Sequence, residues 1–147
     1  MKKTISAFVV LSVLTVAANA WAFNRNISGA WQEPDGTRWI IAQAGNSCSF
    51  STSIRTEATG LISFNFSGYI SGNGGDDDFS YSGLMEPKNV RAKGKSCRLT
   101  GSMNASGDVA GEYGGRVIHM DACSVSITIT CGDKSDTTNG SCVGTWS

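Results

Sequence analysis

Apolar and polar side chains alternate along residues 61–70. Ile62, Phe64, Phe66 and Ile70 fall on one face with Gly68 between them, and Ser63, Asn65 and Ser67 fall on the other. A period of two is the mark of a β-strand with one buried face. The same alternation recurs at 47–55, where Cys48, Phe50 and Ile54 oppose serines, and at 124–131, where Val125, Ile127 and Ile129 oppose Ser and Thr. Outside the first 22 residues no stretch keeps a helical period beyond two turns, so the pattern predicts an all-β chain. Turn chemistry at Pro34-Asp35-Gly36, Gly45-Asn46, Thr59-Gly60, Gly72-Asn73-Gly74-Gly75, Pro87-Lys88-Asn89, Ser106-Gly107-Asp108 and Thr138-Asn139-Gly140 divides it into eight or nine strands. Breaks roughly 8–14 residues apart suit a single antiparallel meander. Such a meander closes into an up-and-down β-barrel, with an open β-sandwich as the alternative.

A three-fold echo favours closure. Ile27-Ser28-Gly29-Ala30-Trp31, Val109-Ala110-Gly111-Glu112-Tyr113 and Cys142-Val143-Gly144-Thr145-Trp146 all place an aromatic two residues after a glycine. The first and last copies are expected to pair and bring Trp31 and Trp146 to one end of the barrel.

The N-terminus follows a different pattern. Lys2 and Lys3 precede an apolar run over 5–17, and Ala18-Asn19-Ala20-Trp21-Ala22 follows it. This is a secretory signal peptide of bacterial type, with cleavage after Ala22 or Ala20 and a periplasmic or secreted destination. The expected organisation is therefore a leader over 1–22 and one β-domain over 23–147. The run is too short to span a membrane, which takes ~20 apolar residues. Composition then changes the picture modestly. Twelve basic residues balance twelve acidic ones, but the leader carries two of the lysines, which leaves ten against twelve and a net charge of −2 in the remainder. That balance provides no footprint for nucleic acid.

The opening of that domain, Gly29-Ala30-Trp31 followed by Gly36-Thr37-Arg38-Trp39-Ile40-Ile41, resembles the first hairpin of avidin-like and lipocalin-like (calycin-type) barrels. The resemblance covers about the first twenty residues after the leader and implies a small secreted barrel. The avidin family's opening asparagine falls on Glu33 and its hairpin serine on Thr37, so the resemblance does not carry biotin binding with it.

Five cysteines in an oxidising compartment leave at least one unpaired. Cys123 and Cys131 share a face of one strand about 26 Å apart at strand rise, beyond disulfide reach. The polar segment 132–141 reads as a long loop, so the expected bridges are Cys131–Cys142 and Cys48–Cys97, with Cys123 buried and free.

Candidate chemistry is sparse. His119, Asp121 and Cys123 share a face in an unbroken strand, but no nucleophile elbow precedes the thiol, and no catalytic role or cofactor is expected. Asp76, Asp77 and Asp78 follow a Gly-rich turn that matches one copy of a calcium-binding nonapeptide, a weak candidate because such repeats bind metal between tandem turns. Lys88, Arg91, Lys93, Lys95 and Arg98 line one strand and offer a surface to an anionic envelope component or a protein. The expected function is non-enzymatic binding of a small molecule or carbohydrate, with Trp31, Trp39, Phe64, Phe66, Tyr113, His119 and Trp146 as the lining. The alternative is an interaction or inhibitor protein that acts through its loops and the basic strand.

Overall fold

The alternation in the chain is realised as an antiparallel meander of nine strands. The structure is a computed structural model describing residues 23–57, 59–111 and 115–147; the expected leader and Tyr113 lie outside these residues. Strands β1 (Gly29–Gln32), β2 (Arg38–Ala44), β3 (Ser47–Thr56), β4 (Gly60–Gly72), β5 (Asp78–Ala92), β6 (Lys95–Ala110), β7 (Val117–Cys131) and β8 (Lys134–Ser141) each pair with the next. The last strand, β9 (Gly144–Trp146), returns to β7. Among the described residues no helix is long and apolar enough to cross a membrane.

β8 and β9 are two pieces of one stave. β8 pairs with 124–131 of β7, and β9 pairs with 118–120. The step between them lies opposite a bulge on β7, where Ser106 faces Ala122 but Gly107 faces Met120, leaving Asp121 without a partner on β6. One extra residue reverses the inside–outside order of everything beyond it. Cys123 and Met120 therefore point inward, while Asp121 is exposed. The shared face expected for His119, Asp121 and Cys123 does not exist.

Closure is made where the sequence echo placed it. Gln32 and Ser147 exchange both backbone hydrogen bonds, at 2.8 and 3.1 Å, and so join β1 to the residue after β9. The two flanking motifs adopt the same local geometry. Gly29 and Gly144 have φ of 141° and 134°, and in each motif the tryptophan indole donates to the carbonyl four residues back: Trp31 to Ile27 at 2.8 Å, Trp146 to Cys142 at 3.1 Å. At Gly144 the absence of a side chain also admits Pro34, whose Cγ would lie 2.9 Å from an added Cβ. Seven strands plus the β8–β9 stave thus form a nearly closed barrel with one unsealed seam, above this junction.

The lumen is filled. Phe50, Phe66, Ile70, Phe79, Met103, Ile118 and Trp146 are fully buried. Trp146 stacks on Trp39 with centroids 5.4 Å apart, and Phe50 lies 4.4 Å from Tyr81. Such pairs add about 0.5–1.5 kcal/mol each beyond the area they bury. The Tyr81 hydroxyl reaches the carbonyls of Phe66 and Cys48 at 3.0 and 3.2 Å. It fits because the paired residues Gly68 and Gly83 leave the wall open there; a Cβ on Gly83 would sit 2.1 Å from the phenol oxygen.

The disulfides differ from expectation. Cys97 bonds to Cys131 and Cys123 to Cys142, with Cα atoms 4.4 and 4.8 Å apart, while Cys48 is free and buried. The error lay in reading 132–141 as a loop. That segment is β8, which carries no apolar residue and pairs along its whole length with β7. In that register Cys131 faces Lys134, and Cys142 returns to Cys123, donating its backbone N–H to the Cys123 carbonyl at 3.0 Å. Cys131 and Cys142 therefore lie at opposite ends of a hairpin. Arg98 pairs with Thr130, which delivers Cys97 to Cys131. Burial pushes the Cys48 thiol up to about 12, so it carries no thiolate at neutral pH and is chemically quiet. Two disulfides are compatible with a secreted or periplasmic protein.

Candidate functional site

The seam stays open for a reason of length. β1 has four residues and β2 seven, whereas β5, β6 and β7 have fifteen or sixteen. β3 runs on to Thr56 past Ser51, its last residue with a ladder partner on β2, Ile40. On the other side β8 ends the ladder, and among the described residues no strand lies on its outer edge. Between them lies a slot of ≈ 210 Å³. Its floor is Trp39, Phe64, Phe66 and Thr52, its apolar walls are Ile54, Val125 and Ile127, and its rim is Asp35, Thr37, Thr138, Gly140 and Ser141. Val125 and Ile127 remain only half-buried because β8 offers them nothing apolar.

Glu33 also lines this slot. It follows Trp31 by two residues and so faces the same way, inward, just before the chain turns. The turn is set by Glu33-Pro34-Asp35-Gly36: the Gly36 N–H donates to the Glu33 carbonyl at 3.0 Å and the Glu33 N–H to the Thr37 carbonyl at 2.8 Å. Proline supplies the second-position φ of such a turn, and Asp35 accepts the Thr37 N–H at 2.9 Å. These bonds hold the carboxylate in place with only 9% of the residue exposed. Oε2 accepts the Trp39 indole N–H at 2.7 Å. Among the described residues Oε1 has no donor, yet no buried side-chain oxygen is left without a partner. Oε1 therefore keeps some accessible surface, and Glu33 is among the residues that line the slot. Burial raises the Glu33 pKa, the Trp39 hydrogen bond opposes that, and the nearby Asp35 charge adds to it.

Of the residues expected to line a site, the slot brings together Trp39, Phe64 and Phe66. The others lie elsewhere. Trp146 is sealed in the core between Trp39 and Phe50. Trp31 is buried below the junction, with the Arg116 guanidinium 5.4 Å over its ring. His119 lies on the other face of β7 from Met120, with its Nδ1 3.2 Å from the Thr145 hydroxyl. Glu33, Thr52, Ile127 and the β8 residues were missed. Parity with Trp31 was the available signal for Glu33, but a carboxylate at an inward position is easily assigned to the turn that follows.

The remaining candidates are dispersed. Asp77 forms an ion pair with Arg25 at 2.6 Å, and among the described residues no three acidic, His or Cys side chains converge as a metal site. The basic residues lie on the β5–β6 hairpin, where Lys88 donates to the Ser63 carbonyl and Arg91 to the Gly94 carbonyl, both at 2.9 Å. Open depressions beside Tyr69 are lined by serines together with alanines and other small or apolar residues, and hold no buried charge.

Comparison of the chain with protein-family models, curated proteins and solved structures finds no match.

Proposed function

We propose that the protein is a secreted or periplasmic, non-enzymatic β-barrel that holds a small molecule in the slot between β3 and β8. One observation carries this reading. A buried carboxylate with one oxygen lacking a protein donor lines a cleft with an aromatic floor, aliphatic walls and a polar rim. Burying a charge without full compensation is costly, and a ligand that supplies the missing donor removes the cost. Aromatic and aliphatic walls with one placed polar group are the usual composition of a small-ligand site. At ≈ 210 Å³ the slot lies below the ~300–1,000 Å³ of drug-sized pockets, so the ligand is compact. The two disulfides and the expected leader over 1–22 support the extracytoplasmic address.

Native mass spectrometry of protein purified from its own host tests the reading, alongside Gly140→Trp. Gly140 lines the slot, and a Cβ there meets nothing within 4 Å, so the wall tolerates a side chain at this position. A retained small-molecule mass in the wild type that is absent from Gly140→Trp is the expected result. A bound mass that survives the substitution places the ligand elsewhere.

A further inference from the structure

Resting on the slot as a ligand site, we infer that its ligand is a small organic amine, bound as the ammonium ion, with a flat or branched apolar body. Among the described residues every charged group that lines the slot is an acid. Glu33 and Asp35 both come from the β1–β2 turn. The elements packed against them contribute none of either sign: β3 presents Thr52 and Ile54, β4 Phe64 and Phe66, β7 Val125 and Ile127, and β8 Thr138, Gly140 and Ser141. An anionic ligand would meet two carboxylates with no compensating base. A neutral donor would satisfy one lone pair of Oε1 and leave the buried charge in place.

An ammonium group does both. It donates to Oε1 and neutralises the carboxylate, and a charge-assisted bond of this kind is roughly twice as strong as a neutral one. The Trp39 N–H occupies Oε2 and leaves Oε1 to receive the ammonium. Asp35 is exposed at the rim and draws the cation toward the entrance. The half-buried Val125 and Ile127 and the exposed Ile54 then have an apolar body to cover them.

Isothermal titration of the wild-type protein with three probes of one shape tests the inference: 2-phenylethylamine, 2-phenylethanol and 3-phenylpropionate. The amine is expected to bind at least tenfold more tightly than the alcohol, with no binding of the carboxylate. Glu33→Gln, which keeps an acceptor for Trp39, should erase the difference between amine and alcohol. A pH series on the wild type guards against misfolding of the variant. Amine affinity should fall as Glu33 is protonated on acidification, while alcohol affinity stays level. Equal binding of amine and alcohol, abolished by Gly140→Trp, overturns the amine assignment and leaves the slot as the site. Amine binding that persists unchanged in Gly140→Trp overturns the slot itself. No binding of the amine to the wild type overturns the amine assignment, and the retained-mass experiment then decides the slot independently.

Discussion

The β8–β9 stave meets the start of the chain in two ways, and the contrast between them organises the molecule. At its lower end, three residues of β9 and Ser147 achieve closure. Two backbone hydrogen bonds reach Gln32, Pro34 packs on Gly144, and two indoles are tied to carbonyls four residues back. At its upper end, eight residues of β8 pair with β7 but, among the described residues, meet no strand on their outer edge, and a carboxylate and an apolar floor line the gap. Closure thus depends on local fit, not on length of contact. The lower junction spends its side chains on stability. The upper gap leaves Glu33 Oε1 without a protein donor and its apolar walls only half-covered.

Substitutions should separate the two regions cleanly. The largest effect is expected for Trp146→Ala in the sealed half, since Trp146 is fully buried and stacks on Trp39 in the core. Urea denaturation should report a loss of ~3–5 kcal/mol. Gly140→Trp in the open half should stay within about 0.5 kcal/mol of wild type, as for a surface change. Comparable losses for both would erase the distinction.

Next in size is the staple at the point where β8 gives way to β9. Replacing Cys123 and Cys142 together by alanine should cost ~2–4 kcal/mol. Cys48→Ala, which breaks no bridge, should cost less in the same melt, and folded Cys48 should resist alkylation by iodoacetamide.

A smaller effect concerns pH. The folded-state pKa of Glu33 is raised, so the folded protein binds this proton more readily than the unfolded chain does. Its favourable contribution is complete below the ordinary carboxylate pKa of 4.5 and is lost as pH rises through the raised value. Glu33→Gln should therefore gain stability relative to wild type between mildly acidic and neutral pH, and the two should converge in acid. A gap that widens on acidification would reverse the sign and contradict a buried, desolvated Glu33.

The smallest effect is expected at the lower rim. Arg25→Ala removes a half-exposed ion pair with Asp77, worth about 0.2–1 kcal/mol by denaturant titration.

Much of the sealed half was legible in the chain. Alternation marks β4 because Ile62, Phe64 and Phe66 need a core and the intervening serines do not. The Gly-x-Trp echo announced the closing junction, since a glycine that admits a neighbouring backbone and an indole that needs a carbonyl are local requirements. The open half was harder to read. β8 has no apolar residue, so period-two patterning cannot register it, and the disulfide expectations failed with it. Once the hairpin is seen, antiparallel register alone sends Cys142 to Cys123 and Cys131 to Cys97. The aromatic floor of the slot was foreseen through Trp39, Phe64 and Phe66. Glu33 was not, because its burial depends on where β1 stops short, and that is decided by the pairing of distant strands.

The tryptophan indole N–H resonances of a ¹⁵N-labelled sample, followed during titration with 2-phenylethylamine, test the assignment of the slot most directly. Trp39 bonds to Glu33 in the slot, whereas Trp31 and Trp146 bond to backbone carbonyls in the sealed half. A saturable shift of the Trp39 indole, with Trp31 unmoved, is the expected result. A spectrum in which Trp39 stays fixed, or in which Trp31 moves as far, would contradict a ligand site at the unsealed seam.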